Sequence, residues 1–383
     1  MKSDDKKNCK TEQPAFQDRE LLLSAVEPLL AWYRKGHREL PWREDRNPYR
    51  IWVSEIMLQQ TRVEAVKPYF LRFMEAFPTV EDLAEADDER LLKYWEGLGY
   101  YSRIRNMKKA AVIMKNQFQS QMPHSYAELL ALPGIGSYTA GAVASIAFGE
   151  AVPAVDGNVL RILSRLRMDE RNVSVQAVKK AVEQELKTVM PASAPGDFNQ
   201  AMMELGATVC IPAGAALCEN CPWQAVCRAH AHHCEDSYPK KNRKKERTVE
   251  EYTVLILKDG SRVALQKRPD RGLLANMYEL PMLKGNLTER EVLKELKTMG
   301  LAILRIKKLE SAKHVFTHKE WHMTGYMVYV DELEKMNFHP SEDFIYVLPE
   351  ETRERYPIPS AFKAYAKYIH MTVGNDVFRE QGE

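Results

Sequence analysis

The chain has 383 residues and a formal net charge of +2. This length predicts two domains, each able to bury a core, and the content of 45% apolar and 28% charged residues excludes a wholly disordered chain. No stretch reaches the roughly 18 uncharged apolar residues of a membrane helix. Because the polar lead (residues 1–16) also lacks a secretory signal, we expect a cytoplasmic protein without a membrane partner.

Residues 17–237 are predicted to form an all-helical domain, because long amphipathic runs alternate with short breaks at Pro and Gly. Asn47 and Pro48 are typical of a helix start, and that helix is predicted to carry YRIWVSEIMLQQTRVEAV. A second helix is predicted to begin at Thr79 and to continue to the glycines of GLGYY.

The remainder of the chain has a different pattern. Residues 238–249 form a predicted linker, with six basic side chains between Lys240 and Arg247. Residues 250–371 contain β-rich runs with a hairpin signal at Asp259 and Gly260, together with helical patterns at 290–300 and 360–369. We therefore expect an α+β second domain, followed by a tail at 372–383.

The segment LPGIGSYTAGAVASIAFG (132–149) places two glycines between two apolar helical stretches. We expect Gly134 and Gly136 to adopt conformations closed to other residues and to expose backbone N–H groups that can hold a phosphate. From the two glycines alone, a tight interhelical turn with no ligand is the simpler interpretation. Further along, Asp156 in VDGNV stands before an apolar helical run, where it is predicted to cap a helix whose N–H groups keep the carboxylate ionised.

Glu55 is one of only two polar residues in the run IWVSEIML. A carboxyl group among Ile, Trp, Val and Met is desolvated, which raises its pKa and suits it to act as a general acid. The alternative is a glutamate on the exposed side of an amphipathic helix.

In chain order, the Glu55 run, the glycine hairpin and VDGNV resemble the helix-hairpin-helix superfamily of DNA glycosylases that includes endonuclease III. MLQQT with Glu55 resembles the adenine DNA glycosylase (MutY) family in particular. The resemblance implies that the hairpin binds the DNA backbone and that Asp156 stabilises positive charge on the sugar. Relatives with lyase activity carry a lysine where this chain has Tyr138. The resemblance therefore also implies a monofunctional enzyme that leaves an abasic site.

The resemblance further implies that the substrate is adenine opposite 8-oxoguanine or guanine in double-stranded DNA. Glu55 would protonate N7 of the flipped adenine, because the adenine anion is a poor leaving group. Whether Asp156 forms a transient covalent bond to the sugar is left open. The catalytic candidates are Glu55, Asp156, Tyr138 and Asn158, and the adenine-pocket candidates are Trp42, Arg43, Leu58 and Glu204. Of these, Arg43 would donate to the Watson-Crick edge of adenine and Glu204 would accept from its exocyclic amine. In isolation, Trp42 is also compatible with a core aromatic and Glu204 with a surface charge.

Two further sets of residues are implied to contact DNA or the base opposite adenine. LQQTR and GLGYY supply candidates that enter the duplex, namely Gln60, Thr61, Leu98, Gly99 and Tyr100. HVFTHKEW resembles the loop that checks for oxidised guanine and supplies Phe316, Thr317 and His318. Thr317 stands where the family usually has serine, and it retains the hydroxyl group.

Five of the six cysteines lie within 25 consecutive positions, which in a cytosolic chain indicates a metal site. Cys210, Cys218, Cys221 and Cys227 suit either an iron-sulfur cluster or structural zinc, and the resemblance favours a four-iron four-sulfur cluster. The first gap has seven residues where the family usually has six. Cys234 with His230, His232 and His233 is an alternative ligand set, and Cys9 has no evident partner.

The second domain resembles Nudix hydrolases, which bind magnesium through a glutamate-rich helix. REVLKE keeps Arg290, Glu291 and Glu295 but has Lys294 where a further acid is needed, so we expect a lesion-recognition domain without hydrolase activity. One rival function is an endonuclease III-like glycosylase with lyase activity on oxidised pyrimidines, which Tyr138 opposes. Another is a non-catalytic, metal-stapled DNA-binding protein, which Glu55 opposes. We expect a monomer associated with the nucleoid.

Overall fold

The computed structural model describes residues 15–212, 216–242, 246–333 and 344–374, with only the backbone of 15–17. Most of the predicted lead including Cys9, part of the basic linker and most of the tail lie outside the described residues. Two compact units are formed, one by Met1–Ala84 with Met107–Arg243 and the other by Glu85–Asn106 with Lys244–Glu383. Among the helices described, none has the length and apolar character needed to cross a bilayer.

The first unit is helical and contains most of the helices from α1 to α12. Helix α5 belongs to the second unit, and α4 and α6 each have residues in both units. The bounds of the helices are α1 Ala15–Gly36, α2 Pro48–Leu58, α3 Val63–Ala76, α4 Val80–Glu85, α5 Asp88–Trp95, α6 Ser102–Gln117, α7 Tyr126–Leu130, α8 Ser137–Phe148, α9 Gly157–Arg167, α10 Gln176–Lys187, α11 Pro195–Thr208 and α12 Arg228–Ala231.

Two of the predicted helices are each interrupted once. Asn47 caps α2 as predicted, but the helix ends at Leu58 because Gln60 adopts a left-handed backbone with φ of 63°, and α3 then begins at Val63. The helix predicted from Thr79 to the glycines is two helices, because Asp87 accepts hydrogen bonds from two backbone N–H groups and caps α5. The second break reflects a capping side chain that outweighs helical periodicity, and the first reflects a backbone conformation that periodicity does not show.

A shared core joins α1, α9, α10 and α11 in the first unit. Leu29, Leu163 and Leu205 are fully buried there, and Trp223 donates its indole N–H to the Ala25 carbonyl at 2.8 Å. This core places the start of α9 and the inner face of α11 next to each other, which positions the residues described below.

The second unit contains a mixed sheet. Its strands are β1 Thr248–Asp259, β2 Arg262–Lys267, β3 Tyr278–Glu279, β4 Met282–Lys284, β5 Ile303–Lys308, β6 Ala312–Val315, β7 Lys319–Val330 and β8 Phe344–Val347. The order is β3-β2-β1-β7-β5, with β4 on β1, β6 on β7 and β8 on β2. The long central pair of β1 and β7 is parallel, and the other pairs are antiparallel.

Each face of this sheet is covered by different residues. On one face, α13 (Glu289–Thr298) packs Val292 and Leu296 against Leu255 and Leu257 of β1. On the other, residues 358–373, which include the short helix α14 (Lys363–Ala366), pack Phe362 among others into the second core. The predicted fold class, a helical domain followed by an α+β domain, is confirmed.

Candidate functional site

Glu55 lies on the buried face of α2 and is 6% exposed. Packing of α2 against α8 brings in Tyr138, whose hydroxyl donates to Glu55 Oε2 at 2.5 Å. Burial raises the pKa of Glu55 from its ordinary value of 4.5 to about 7; the Tyr138 hydrogen bond lowers it, and the negative charge of Asp156 raises it. A carboxyl group with this pKa is available both as acid and as base near neutral pH.

Asp156 is the N-cap of α9, as predicted. Its Oδ1 accepts from the Val159 backbone N–H and its Oδ2 from the Asn158 side chain, each at 2.8 Å. These bonds lower the pKa of Asp156, but burial raises it by more, so the pKa lies above that of an ordinary aspartate. The expectation that the cap keeps the carboxylate ionised omitted this desolvation.

Asn158 is in turn held by Arg161, a residue that sequence reasoning missed. Arg161 donates to Asn158 Oδ1 at 2.8 Å, to the Gly206 carbonyl at 2.7 Å and to the Cys210 carbonyl at 2.8 Å. A continuous chain of hydrogen bonds therefore runs from Asp156 to the first cysteine. The only sequence signal was the spacing of three residues, which puts Asn158 and Arg161 on one helix face.

Glu204 on α11 is almost fully buried between two arginines. Arg38, which sequence reasoning also missed, donates to both carboxylate oxygens at 2.6 and 2.9 Å, and Arg43 donates to Oε2 at 2.9 Å. These ion pairs lower the pKa of Glu204 although burial raises it. Trp42 is buried with its ring against the edge of Phe70, at 5.4 Å between centroids.

The turn between α2 and α3 exposes Gln60 and leaves Leu58 and Thr61 half-buried. At the hairpin, Gly134 has a φ of 78°, as expected, but Gly136 has a φ of −92° that any residue adopts. A Cβ at Gly136 would meet no atom within 4 Å. The prediction of a special conformation is therefore wrong for Gly136. Gly136 is an exposed residue at the N-cap of α8.

In the second unit, Gly97 and Gly99 both have positive φ, and the turn that they form ends at Tyr100, which is 44% exposed. The Tyr100 and Thr317 hydroxyls are hydrogen-bonded at 2.8 Å. The turn and the residues around Thr317 line a cavity of about 580 Å³. Other predicted residues here are Leu98, which is buried, Gly99 and Phe316, which are half-buried, and His318, which is exposed.

Phe316 packs edge-on against Trp321, with ring centroids 4.8 Å apart, and its backbone N–H donates to the Lys319 carbonyl at 2.8 Å. These contacts anchor the loop between β6 and β7 at one side. The exposed tip therefore presents the Thr317 hydroxyl and the His318 ring.

Cys210, Cys218, Cys221 and Cys227 line one small cavity together with His230 and Glu235. Four sulfur donors facing one space fit a metal cluster held by thiolates. Arg165 donates to Cys210 Sγ at 3.3 Å. Cys234 instead packs with Met168, Ala229 and Tyr238, and the sulfur, imidazole and carboxylate of Cys218, His230 and Glu235 lie within 4.8 Å of one another.

The Nudix-like helix α13 offers a poor metal site. Both carboxylate contacts of Glu291 that the structure gives are to Thr288, in a capping box. Capping engages one carboxylate oxygen of Glu291, Oε2, and Lys294 stands where the motif needs a further acid, so the motif offers less negative charge to a divalent cation.

Comparison with known proteins gives matches along most of the chain. A family model described as HhH-GPD superfamily base excision DNA repair protein matches residues 53–191, and one described as NUDIX domain matches 252–368. The adenine DNA glycosylase of Buchnera aphidicola subsp. Baizongia pistaciae is 32% identical over 80% of this chain and 86% of its own. That of Rattus norvegicus is 36% identical over 76% of this chain and 67% of its own.

Among solved structures, a thermostable thymine-DNA glycosylase superposes with a TM-score of 0.51 and 27% identity over 57% of this chain and 100% of that chain. This agreement covers the helical part. The identities to the curated relatives extend over both the helical and the Nudix-like parts. With its helix-hairpin-helix base excision repair domain followed by a Nudix-like domain, the chain therefore belongs to the adenine DNA glycosylase family of DNA N-glycosylases.

Proposed function

We propose that the protein hydrolyses the bond between adenine and deoxyribose in duplexes where adenine pairs with 8-oxoguanine or guanine, and that it leaves an abasic site. The observation that carries the proposal is the buried Glu55, whose pKa of about 7 suits a group that gives a proton to adenine N7. The Asp156 carboxylate then stabilises the positive charge on the sugar, and the Asn158 side chain fixes the orientation of that carboxylate.

Hydrolysis without lyase activity follows from the residue at position 138. A tyrosine cannot form a Schiff base with the sugar, and here its hydroxyl is engaged with Glu55. We assign Tyr138 to orienting the acid and closing the adenine pocket. Arg43 is the candidate for reading the Watson-Crick edge. Each carboxylate oxygen of Glu204 accepts two N–H groups from Arg38 and Arg43. We therefore propose that Glu204 holds Arg43 in place and does not accept from the adenine amino group.

Recognition of the opposite base is assigned to the exposed tip at Thr317 and His318 together with Tyr100. The Thr317 hydroxyl can donate to or accept from the N7 and O8 edge that distinguishes 8-oxoguanine from guanine. Exposure of Gln60 and of the Gly136 backbone supports their assignment to DNA contacts.

Cys210, Cys218, Cys221 and Cys227 are proposed to hold a four-iron four-sulfur cluster. Four sulfur ligands and a single shared cavity support a cluster, although the same donors also suit zinc. With a metal group bound, Cys210 just beyond α11 would be tied to Cys218, Cys221 and Cys227. Cys210 would then hold in place the backbone carbonyl that accepts from Arg161.

The test is single-turnover excision on duplexes that pair adenine with 8-oxoguanine, guanine or thymine, with a duplex containing an oxidised pyrimidine as comparison. We expect fastest excision opposite 8-oxoguanine, slower excision opposite guanine, and intact abasic strands until alkali is added. Strand cleavage without alkali, or activity confined to the oxidised pyrimidine, would overturn the proposal in favour of an endonuclease III-like enzyme. Binding without excision of any base would favour the non-catalytic alternative.

A further inference from the structure

A second buried acid, Glu96, lies directly before the turn that ends at Tyr100. Glu96 is 1% exposed and Lys93 is 5% exposed, and the Lys93 ammonium donates to Glu96 Oε2 at 2.5 Å. Sequence patterning places the two residues three apart on α5 and its C-cap, as expected for an ordinary surface ion pair. Their burial shows that they are not a surface ion pair.

Both members of this pair are bonded to the C-terminal part of the same unit. Glu96 Oε1 accepts from the backbone N–H of Gly374 at 2.8 Å and of Ile358 at 3.3 Å. Lys93 donates to the carbonyl of Thr352 at 2.5 Å. One ion pair therefore fastens the start of the turn to three points between residues 352 and 374.

The other end of the turn is also fastened within this unit. Tyr100 bonds to Thr317, and Arg103 donates to the carbonyls of Leu98 and Gly99 at 3.0 and 2.9 Å. Since Gly97 and Gly99 give the turn many accessible conformations, its geometry depends on these attachments. Moving Glu96 would thus displace Tyr100 from the Thr317 hydroxyl.

Energetic reasoning favours a positioning role over a stabilising one. Two buried charges are desolvated, and an apolar pair of similar volume is often as stable or more stable. A buried pair that is bonded at several points fixes geometry that an apolar pair leaves open.

We propose that Lys93 and Glu96 are positioning residues for recognition of the base opposite adenine. They hold the turn so that Tyr100 and Thr317 form one reading surface, and they thereby set how much faster adenine is removed opposite 8-oxoguanine than opposite guanine. This inference rests on the proposed function, since it concerns the proposed reading of 8-oxoguanine.

The experiment measures single-turnover excision opposite 8-oxoguanine and opposite guanine in the full-length protein. The double variant Lys93→Met with Glu96→Leu removes the charges and the acceptor, whereas Lys93→Met with Glu96→Gln restores an acceptor for the two backbone N–H groups. We expect the ratio of the excision rate opposite 8-oxoguanine to that opposite guanine to fall about fivefold in the Met and Leu variant. The Met and Gln variant should recover most of that loss. Val292→Ala, which weakens packing on α13 away from the turn, is the control for lower stability and should keep the ratio.

A double-mutant cycle tests whether the pair acts through Thr317. In a Thr317→Val background, the Met and Leu pair should lower the ratio no further. The inference would be overturned by an unchanged ratio in the Met and Leu variant, which includes equal rate losses on both duplexes. Full additivity with Thr317→Val would also overturn it. Failure of the proposed function is separate, because the wild-type protein would then show no preference for 8-oxoguanine.

Discussion

The Tyr138 hydroxyl on α8 donates to Glu55 Oε2 on α2, joining residues that are 83 positions apart in the chain. This bond stabilises the ionised carboxylate, whereas burial and the charge of Asp156 stabilise the protonated one. The pKa of about 7 is the balance of these opposing effects. Removal of any one contribution should therefore shift the pH dependence of excision in a direction that the structure specifies.

Tyr138→Phe should move the basic limb of the excision rate to higher pH. Loss of a hydrogen bond of about 1 kcal/mol to the carboxylate corresponds to roughly 0.7 of a pH unit, and Glu55 then stays protonated further into the alkaline range. The measurement is the pH profile of single-turnover excision, with Tyr126→Phe on α7 as control. A shift to lower pH, or an identical profile, contradicts the proposed role of the hydrogen bond.

Glu55→Gln should abolish excision, leave binding to the lesion duplex largely intact and stabilise the fold at alkaline pH. The folded-state pKa of about 7 exceeds the ordinary 4.5, so the folded protein binds this proton more tightly than the unfolded chain does. That contribution is fully present below pH 4.5 and is lost as pH rises through 7, to a total of about 3 kcal/mol. The glutamine variant does not lose it.

Denaturant unfolding at pH 5 and pH 8 provides the measurement. The free energy of unfolding of Glu55→Gln should exceed that of the wild type at pH 8, with a much smaller difference at pH 5. A difference between the variant and the wild type that is the same at pH 5 and pH 8 would mean that Glu55 is not desolvated as the structure indicates. Residual excision would show that another group is the acid.

Local sequence pattern was sufficient to predict a desolvated carboxyl group at Glu55 and a helix cap at Asp156. An acid within an apolar helical run and an acid before a helix are both defined by immediate neighbours. Arg38 and Lys93 gave no such signal, because each is a basic residue at a position that also suits a solvated side chain. Tertiary packing pairs Arg38 with Glu204 of α11 and buries Lys93 against residues near 352, so no local pattern could show their partners.

Element type was predicted better than element ends. The helical and α+β parts followed from periodicity, but the breaks at Gln60 and Asp87 did not. Gln60 has a left-handed backbone, which is unfavourable for a residue with a Cβ. Residue propensities therefore do not predict a helix end at a glutamine. The conformation lies in a proposed DNA-contacting turn, where strain is commonly retained for function.

Gly206→Ala should slow excision with little effect on DNA affinity. A Cβ at Gly206 would lie 2.6 Å from Asn158 Cβ, so Asn158 must move and its hydrogen bond to Asp156 is disturbed. A misplaced catalytic carboxylate lowers the rate by roughly tenfold to a hundredfold. Gly36→Ala, where an added Cβ meets nothing within 4 Å, is the matched control. Normal excision by the Gly206 variant would show that the position of Asn158 is not critical.

Cys221→Ala should reduce bound metal, whereas Cys234→Ala should not. Cys221 lines the cavity shared by the four proposed ligands, whereas Cys234 packs beside Tyr238 and is not among the residues that line this cavity. Iron and zinc analysis of purified protein, with the visible absorbance of an iron-sulfur cluster, distinguishes the two metals and the two variants. Metal loss in Cys234→Ala with retention in Cys221→Ala would favour the alternative set of Cys234 and the histidines. If Cys221→Ala also slows excision more than it weakens DNA binding, the hydrogen bonds from Cys210 through Arg161 to Asn158 provide the physical route.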